Sequence, residues 1–397
     1  MVTRREAVLT LGGLAASAAF PGLSLAQGAP GEKRLVFVIL RGGLDGLSAV
    51  PACGDPHFER RRGELAIAPP GEDKGALRLD DLFGLHPLLP EMHRLYGLGE
   101  LAVLHAVATP YRDRSHFDAQ NLLENGTGKP YGRDAGWLNV ALGEAAKQGG
   151  GVALGASVPL VLRGPASVTS WSPSVMPSPA PDLLERLGRL YRNDPLLAQP
   201  FASAVETQTL MEGRAGRDGG MASRGGAPGA ALAQAAGRFL TQSNGPRVAV
   251  IDLGGWDTHA NQVGDLGPFA RSLRQLDGSM AALKASLGPA WQHTVVLVVT
   301  EFGRTVAPNG SRGTDHGTAS AAFALGGAVR GGRVISQWPG LSEPDLFEGR
   351  DLRPTLDLRS LFKAALTAQL GVGEAALESK VFPESRGARP LEGLFNG

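Results

Sequence analysis

The chain has 397 residues, with 39 Lys and Arg against 38 Asp and Glu, so its formal net charge at pH 7 is +1. This balance lacks both the basic excess of a nucleic-acid-binding protein and an acidic tail. Cys53 is the single cysteine, which excludes an intramolecular disulfide. We expect one large α/β domain, or a core with an inserted subdomain.

The N-terminus has the features of an export signal. Arg4 and Arg5 precede an apolar, Gly- and Ala-rich stretch over residues 7–20, and Ser24 and Ala26 match a signal-peptidase site. Adjacent arginines favour the twin-arginine route, and an ordinary secretory signal is the alternative. The stretch is too short for a permanent membrane anchor. We predict a signal peptide over residues 1–26, cleavage after Ala26, contact with the twin-arginine translocase during export, and a periplasmic or secreted protein.

Short apolar runs without polar alternation predict strands that are buried on both faces of a parallel sheet. In chain order these runs lie at residues 34–40, 101–107, 247–253, 295–299 and 321–325. Amphipathic or helix-favouring stretches lie between and after them, at residues 116–124, 230–242, 266–287 and 357–370. The alternation predicts a doubly wound α/β fold with a mostly parallel central sheet.

Residues 130–245 have a different composition and are predicted to form an insertion in the domain. Residues 181–209 favour one or two helices, and residues 213–229 are rich in Gly, Arg and Ala. Such a composition predicts a flexible loop over residues 213–229. No chemistry is indicated in this segment. The remaining sequence, within residues 34–397, is predicted to build the α/β domain.

Acidic and imidazole side chains follow three of the predicted strands. They are Asp45, Asp257, His259, Glu301, Asp315 and His316. The carboxyl ends of parallel strands share one edge, where ligands bind in open α/β sheets. Any one of these residues alone is compatible with ordinary turn chemistry, and Asp45 in its Asp-Gly pair is more often that. Together they predict a site for one or two divalent ions, Zn, Mn, Mg or Ca.

Ser115 follows the strand at 101–107 and begins the next predicted helix. One interpretation is a helix N-cap, with Asp118 as an approximate capping-box partner. The other is a nucleophile, because a helix N-terminus beside Arg112 and Arg114 favours a bound anion. Both interpretations are open at the level of the sequence.

Several motifs, taken in order, resemble those of the domain-of-unknown-function 1501 family of exported proteins. They are the twin-arginine leader and the segments 41–47 (RGGLDGL), 114–120 (RSHFDAQ), 254–259 (GGWDTH), 300–305 (TEFGRT) and 313–317 (GTDHG). That family resembles a remote member of the alkaline phosphatase and sulfatase superfamily. The resemblance implies an alkaline phosphatase-like three-layer αβα sandwich with a mostly parallel central sheet, an inserted subdomain and a metal site at the carboxyl edge.

The resemblance also implies roles for individual residues. Asp45, the pair Asp257 and His259, and His316 would be metal ligands, and Ser115 would be the nucleophile. Glu301 stands where the superfamily has an Asp followed by a His, and the pair 315–316 supplies an alternative Asp-His, so either alignment is open. The sulfatase signature is absent around Cys53 and Ser115, which argues against a formylglycine sulfatase.

These observations predict an exported metal-dependent hydrolase of phosphate, phosphonate or sulfate esters. Ser115 would attack, the metal would stabilise the oxyanion, and Arg114 or Arg304 would hold the anion. The expected partner is an anionic small molecule or glycan, and neither nucleic acid nor a permanent membrane anchor is expected. The alternative is a non-catalytic alkaline phosphatase-like protein that serves in envelope binding or assembly, which a missing imidazole ligand would favour.

Overall fold

The computed structural model of the chain describes residues 32–145, 149–155, 157–173, 181–194, 197–199, 201–202, 204–205 and 228–396. The predicted signal peptide, and residues 213–227 of the predicted flexible loop, lie outside these ranges. Within them, a mostly parallel sheet carries helices on both faces. No helix among the described residues is both long and apolar enough to cross a membrane.

Nine strands form the central sheet. The strands of the chain are β1 (Arg34–Leu40), β2 (Leu77–Arg78), β3 (Gly84–Leu85), β4 (Leu101–Ala108), β5 (Gly151–Leu154), β6 (Val168–Trp171), β7 (Val248–Leu253), β8 (Thr294–Thr300), β9 (Ser320–Leu325), β10 (Arg333–Ile335) and β11 (Leu356–Asp357). The sheet order is β10-β4-β9-β8-β1-β7-β5-β6, with β11 beside β4, while β2 and β3 pair separately. Among the described strands of this sheet, β9 alone is antiparallel to its neighbours.

Helices cover the sheet and fill its connections. The α-helices with both ends described are α1 (Gly46–Ala49), α2 (Phe58–Arg62), α3 (Pro90–Gly97), α4 (His116–Asn125), α5 (Trp137–Gly143), α6 (Pro181–Tyr191), α7 (Pro228–Leu240), α8 (Pro268–Leu287), α9 (Leu358–Leu370) and α10 (Glu374–Ala376). Short 3₁₀ helices lie at Gly63–Leu65, Leu160–Leu162, Gly288–His293 and Glu343–Asp345, and a π-helix lies at Leu377–Val381.

Strand β1 shows why the sheet has two covered faces. Its side chains point alternately to opposite sides, and every residue of the strand is buried. Val36 and Val38 join one core with α3, α7 and α8. Phe37, on the opposite face, packs edge-on against Trp137 of α5 and Phe362 of α9. The predicted three-layer α/β fold with a mostly parallel sheet is confirmed.

The described part of residues 130–245 adjoins the central sheet. Strand β5 pairs in parallel with β7, and β6 pairs in parallel with β5. Helix α7 packs against α8, and it begins at Pro228, so the last two residues of the predicted flexible loop are helical. The inserted subdomain over residues 130–245 stays a prediction.

The strand register brings the ends of several strands to one edge of the sheet. Leu40 at the end of β1 pairs with Leu253 of β7 and with Thr300 of β8, so three strands end side by side. Strand β4 is antiparallel to β9, which is antiparallel to β8, so β4 ends at the same edge where β9 begins. The loops around residues 41–45, 109–115, 254–267, 301–305 and 313–319 therefore meet there.

The buried aromatic contact beneath β1 gives a stability prediction. Phe37→Ala removes a fully buried ring and should lower the free energy of unfolding by about 3–5 kcal/mol, because the cavity only partly collapses. Denaturant unfolding of the purified protein measures the change. Phe117→Ala is the matched control, since its ring is 82% exposed and its loss should change stability by less than about 0.5 kcal/mol. Equal effects of the two substitutions would contradict this account of the core.

Candidate metal centre

Three side chains bring ligand atoms together at the carboxyl edge. His116, Asp257 and His316 each offer one atom, and these atoms lie within 4.8 Å of one another. The Nε2 atoms of the two histidines are 2.9 Å apart, and Asp257 Oδ1 lies 3.5 Å from each. His259 adds a fourth atom, because its Nε2 lies 2.9 Å from His316 Nε2 and 3.0 Å from Asp257 Oδ1.

These four residues come from three places in the chain. His116 is the first residue of α4, shortly after β4 ends. Asp257 and His259 lie in the loop after β7, and His316 lies in the loop before β9. The strand register therefore brings together residues that are as much as 200 positions apart.

Each imidazole is held by an oxygen atom at its other ring nitrogen. The Nδ1 partners are Glu301 Oε1 at 2.8 Å from His116, the carbonyl oxygen of Arg114 at 3.0 Å from His316, and Asp315 Oδ1 at 3.4 Å from His259. A carbonyl or carboxylate oxygen only accepts, so we assign the proton of each neutral ring to Nδ1. Each Nε2 then presents a lone pair, which is the arrangement in which proteins hold metal-binding histidines.

The donor set fits a divalent cation. Unprotonated nitrogens and a carboxylate oxygen repel one another, and the neighbouring pairs of these atoms lie 2.9–3.5 Å apart. A cation about 2.0–2.2 Å from the ligand atoms of His116, Asp257 and His316 would turn this repulsion into coordination, and His259 borders this group. Imidazole-rich sets suit zinc and neighbouring transition metals, whereas magnesium and calcium prefer oxygen ligands.

A buried arginine fixes the carboxylate of this cluster. Arg304 Nη2 lies 2.5 Å from Asp257 Oδ1, and Arg304 Nε donates to the carbonyl of Gly43 at 2.9 Å. Burial alone would raise the pKa of Asp257, but the hydrogen bond and charge of Arg304 lower it below its ordinary value. Gly42 adopts φ +120°, and a Cβ there would lie 2.4 Å from the Asp257 amide nitrogen. The approach of these two loops therefore requires glycine.

Glu301 supports His116 and does not belong to the cluster of ligand atoms. Its side chain is buried, and Oε1 accepts hydrogen bonds from the Gly42 amide at 2.9 Å and Gln120 Nε2 at 3.0 Å as well as from His116. Burial raises the pKa of Glu301, but these hydrogen bonds outweigh it and lower the pKa below its usual value. In return, the hydrogen bond to Glu301 raises the pKa of His116.

Asp45 is not brought to the cluster. Its buried carboxylate lies 2.5 Å from Arg62 Nη2 and accepts from Ser48 Oγ at 2.7 Å and Gln262 Nε2 at 2.5 Å. Burial raises the pKa of Asp45, but the charge of Arg62 and these hydrogen bonds lower it overall. Asp45 also caps α1 by accepting from the Ser48 amide. These contacts favour the interpretation of Asp45 as a structural residue of an Asp-Gly turn.

The remaining predicted site residues surround the cluster. Ser115 is the N-cap of α4, but its side chain makes no capping hydrogen bond, so the approximate capping box is absent. The Ser115 amide donates to Tyr111 Oη at 3.3 Å. Arg114 pairs with Asp351 at 2.8 Å and with Glu348 at 2.5 Å. Asp315 accepts from Asn309 at 3.0 Å, and this bond is the main reason that its pKa is lowered.

Sequence reasoning missed His116 as a candidate ligand. A signal was present, since His116 follows a predicted strand at the shared edge and begins a predicted helix. Reasoning from the sequence considered the neighbouring Ser115 as the reactive group. The contacts of His116 with Glu301 and His316 join residues 185 and 200 positions apart, which a one-dimensional pattern cannot reveal.

Comparisons with known proteins place the chain in a family. No curated protein sequence matches it. Among solved structures it is similar to Ps i-CgsB in complex with k-i-k-neocarrahexaose, with 9% identity over 87% of this chain and 74% of that one and a TM-score of 0.44. The PsFucS1 sulfatase from Pseudoalteromonas sp. gives 12% identity over 93% and 72% of the two chains and a TM-score of 0.38.

A third similar structure is the C-terminal periplasmic domain of EcEptC from Escherichia coli in complex with Zn, with 10% identity over 76% of this chain and 74% of that one and a TM-score of 0.32. Similarities of this size do not assign an activity. The family model described as "Protein of unknown function (DUF1501)" matches residues 96–381. The predicted family is thereby confirmed, and the chain belongs to the DUF1501 family.

Proposed function

We propose that this protein is an exported metal-dependent hydrolase of phosphate, phosphonate or sulfate esters. The observation that carries the proposal is the convergence of the His116, His259 and His316 Nε2 atoms on Asp257 Oδ1. Each imidazole is oriented through Nδ1, so the lone pairs are prepared for an ion before it binds. Nothing in the packing of an apolar core calls for such a cluster.

A bound ion would act as a Lewis acid toward an ester oxygen and lower the pKa of a nearby nucleophile. The protein residues would supply the nucleophile and a place for the anion. Ser115 directly precedes His116 at the start of α4, a ten-residue helix whose amino end favours negative charge. Tyr111 Oη accepts from the Ser115 amide and donates to Asp118 Oδ2, both at 3.3 Å, which fixes the backbone that carries the hydroxyl.

We propose one ion rather than two. Among the described residues, the cluster at His116, Asp257 and His316 is the one group of this kind, and His259 borders it. Asp45 is engaged by Arg62, and Glu301 supports a ligand instead of acting as one.

The two arginines proposed to hold the substrate anion are engaged within the protein. Arg304 is buried and donates to backbone carbonyls and to Asp257, while Arg114 is paired with two carboxylates. We therefore propose that both arginines position the site and that the ion and the start of α4 receive the anion. The non-catalytic alternative depended on a missing imidazole ligand, and the three imidazoles present support the hydrolase instead.

Metal analysis tests the centre directly. The purified protein should bind about one zinc ion per chain, and the double substitution Asp257→Ala with His316→Ala should abolish binding, because two of the three residues of the cluster are lost. Elemental analysis after dialysis against trace zinc measures the ratio. His93→Ala is the control, since the His93 ring hydrogen-bonds the Arg78 carbonyl and lies outside the cluster. A metal-free wild-type protein, or a double variant that keeps its ion, would refute the centre.

Substitution of Ser115 tests the nucleophile. Ser115→Ala should retain the ion but lower kcat on aryl phosphate, phosphonate and sulfate esters by on the order of 10³-fold or more, because a covalent route loses its attacking atom. Turnover of each ester and the metal content are measured on the same preparation. A loss of less than tenfold would show that the hydroxyl is not the nucleophile and that metal-bound water attacks. A wild-type protein inert toward all three esters would remove this substrate class.

Asp45 provides a test of the number of ions. Asp45→Asn should lower the free energy of unfolding by about 3 kcal/mol, because Arg62 is left buried without its charged partner. The zinc-to-protein ratio should remain the same as in the wild type. Chemical denaturation and elemental analysis give the two quantities. A lower ratio with unchanged stability would instead make Asp45 a ligand.

A further inference from the structure

His316 is held from two directions by a pair of arginines. Its Nδ1 donates to the carbonyl oxygen of Arg114 at 3.0 Å, which fixes the plane of the ring. Its own carbonyl oxygen accepts a hydrogen bond from Arg350 Nη2, which fixes the backbone that carries the ring. The two arginines come from different segments, one before α4 and one shortly before β11.

Both arginines converge on one carboxylate. Asp351 Oδ2 lies 2.8 Å from Arg114 Nε, and Asp351 Oδ1 lies 3.0 Å from Arg350 Nε. The Asp351 side chain is fully buried, whereas those of Arg114 and Arg350 are 20% and 47% exposed. Each oxygen of the carboxylate therefore holds one arginine, and the buried group is the fixed point between them.

The backbone around these residues restricts them further. Arg114 has φ +62°, a conformation that side chains other than glycine rarely adopt. Such a conformation persists where the surroundings hold it, and the ion pair with Asp351 is the buried contact of the Arg114 side chain. Asp351 itself forms isolated β-bridges to Thr305 and Phe347, so its position is tied to the loop after β8. The direction of the Arg114 carbonyl, which holds the His316 ring, is thus set by Asp351 and by the backbone contacts that position Asp351.

We propose that Asp351 is a positioning residue of the metal centre, which holds His316 in its metal-binding orientation through Arg114 and Arg350. The inference rests on the proposed function, because it assumes that His316 binds an ion. Asp351 touches no ligand atom and acts only through the two arginines. Residues that orient a ligand imidazole commonly change metal affinity by about 10–100-fold when they are replaced.

Zinc affinity of the full chain tests the proposal. Asp351→Asn should weaken zinc binding by about 10–100-fold, because the neutral amide keeps one acceptor oxygen for two guanidinium groups and loses the charge that pairs with them. Competition with a chromogenic chelator measures the dissociation constant. The absorption spectrum of the Co²⁺-substituted protein should also shift, since a displaced His316 alters the coordination. Thermal unfolding of the metal-free protein separates this effect from general loss of structure.

Glu348→Gln is the matched control for the carboxylate. Glu348 pairs with the same Arg114 side chain at 2.5 Å, but its own side chain is 60% exposed, so its loss should change zinc affinity by less than about twofold. If Asp351→Asn does not fold, Arg350→Gln replaces it, because the half-exposed Arg350 side chain is tolerant of substitution. Arg353→Gln is the control for that variant, since Arg353 bonds only to carbonyls of its own loop, such as that of Asp345, among the contacts described.

The outcomes distinguish the two proposals. Tight zinc binding by the wild type, with weaker binding and an altered Co²⁺ spectrum in Asp351→Asn or Arg350→Gln alone, supports the positioning role. Zinc affinity within twofold of the wild type in both variants overturns that role and leaves the metal centre intact. Equal losses in the variants and their controls overturn it as well. A wild-type protein that binds no zinc overturns the proposed function itself.

Discussion

The buried guanidinium of Arg304 is the interaction on which the candidate centre depends. It donates to the carbonyl of Gly43 after β1, to the carboxylate of Asp257 after β7, and to the carbonyl of Thr314 before β9. The loops after β1 and β7 and the loop before β9 are thereby hydrogen-bonded to the same guanidinium group. The arginine is 2% exposed, so these bonds form where competition from water is weak and each is correspondingly strong. The carboxylate and imidazoles of the cluster take their relative positions from this junction.

The edge of the sheet combines two environments with different physical roles. The strands are apolar on both faces and fix where each loop begins, because their register follows from backbone pairing and side-chain packing. Beyond the last strand residues, charges are satisfied in separate pairs: Asp45 and Arg62 are both buried, whereas the buried Arg304 pairs with the half-exposed Asp257. A buried charge without such a partner would cost several kcal/mol, so the pairing of each acid with its arginine is a condition for folding. The side chains of His116, His259 and His316 are 22%, 45% and 26% exposed, so they remain partly accessible at the surface of this polar layer.

Much of this arrangement could be predicted from the sequence, and the limits have physical causes. Uninterrupted apolar runs predicted the strands, and parallel strand ends predicted that Asp257, His259 and His316 would lie at one edge. Asp45 follows the same rule, yet its carboxylate turns toward Arg62, a residue that the pattern did not connect with it. The supporting role of Glu301 depends on which nitrogen of His116 faces it, and that is a matter of ring orientation and not of spacing. His116 itself was overlooked because a lone histidine at a helix start resembles many surface histidines.

The long separation between the two central histidines has a consequence for how the protein matures. His116 and His316 are 200 residues apart, and each reaches the other only after β4, β8 and β9 have paired. No early fragment of the chain contains a complete binding set, so an ion captured by the proposed centre would be captured by an essentially finished fold. Such an ion would stabilise the native state by about 2.7 kcal/mol at a free concentration one hundred times its dissociation constant. The free concentration of the metal in the compartment where folding ends would therefore set how much the ion raises the free energy of unfolding.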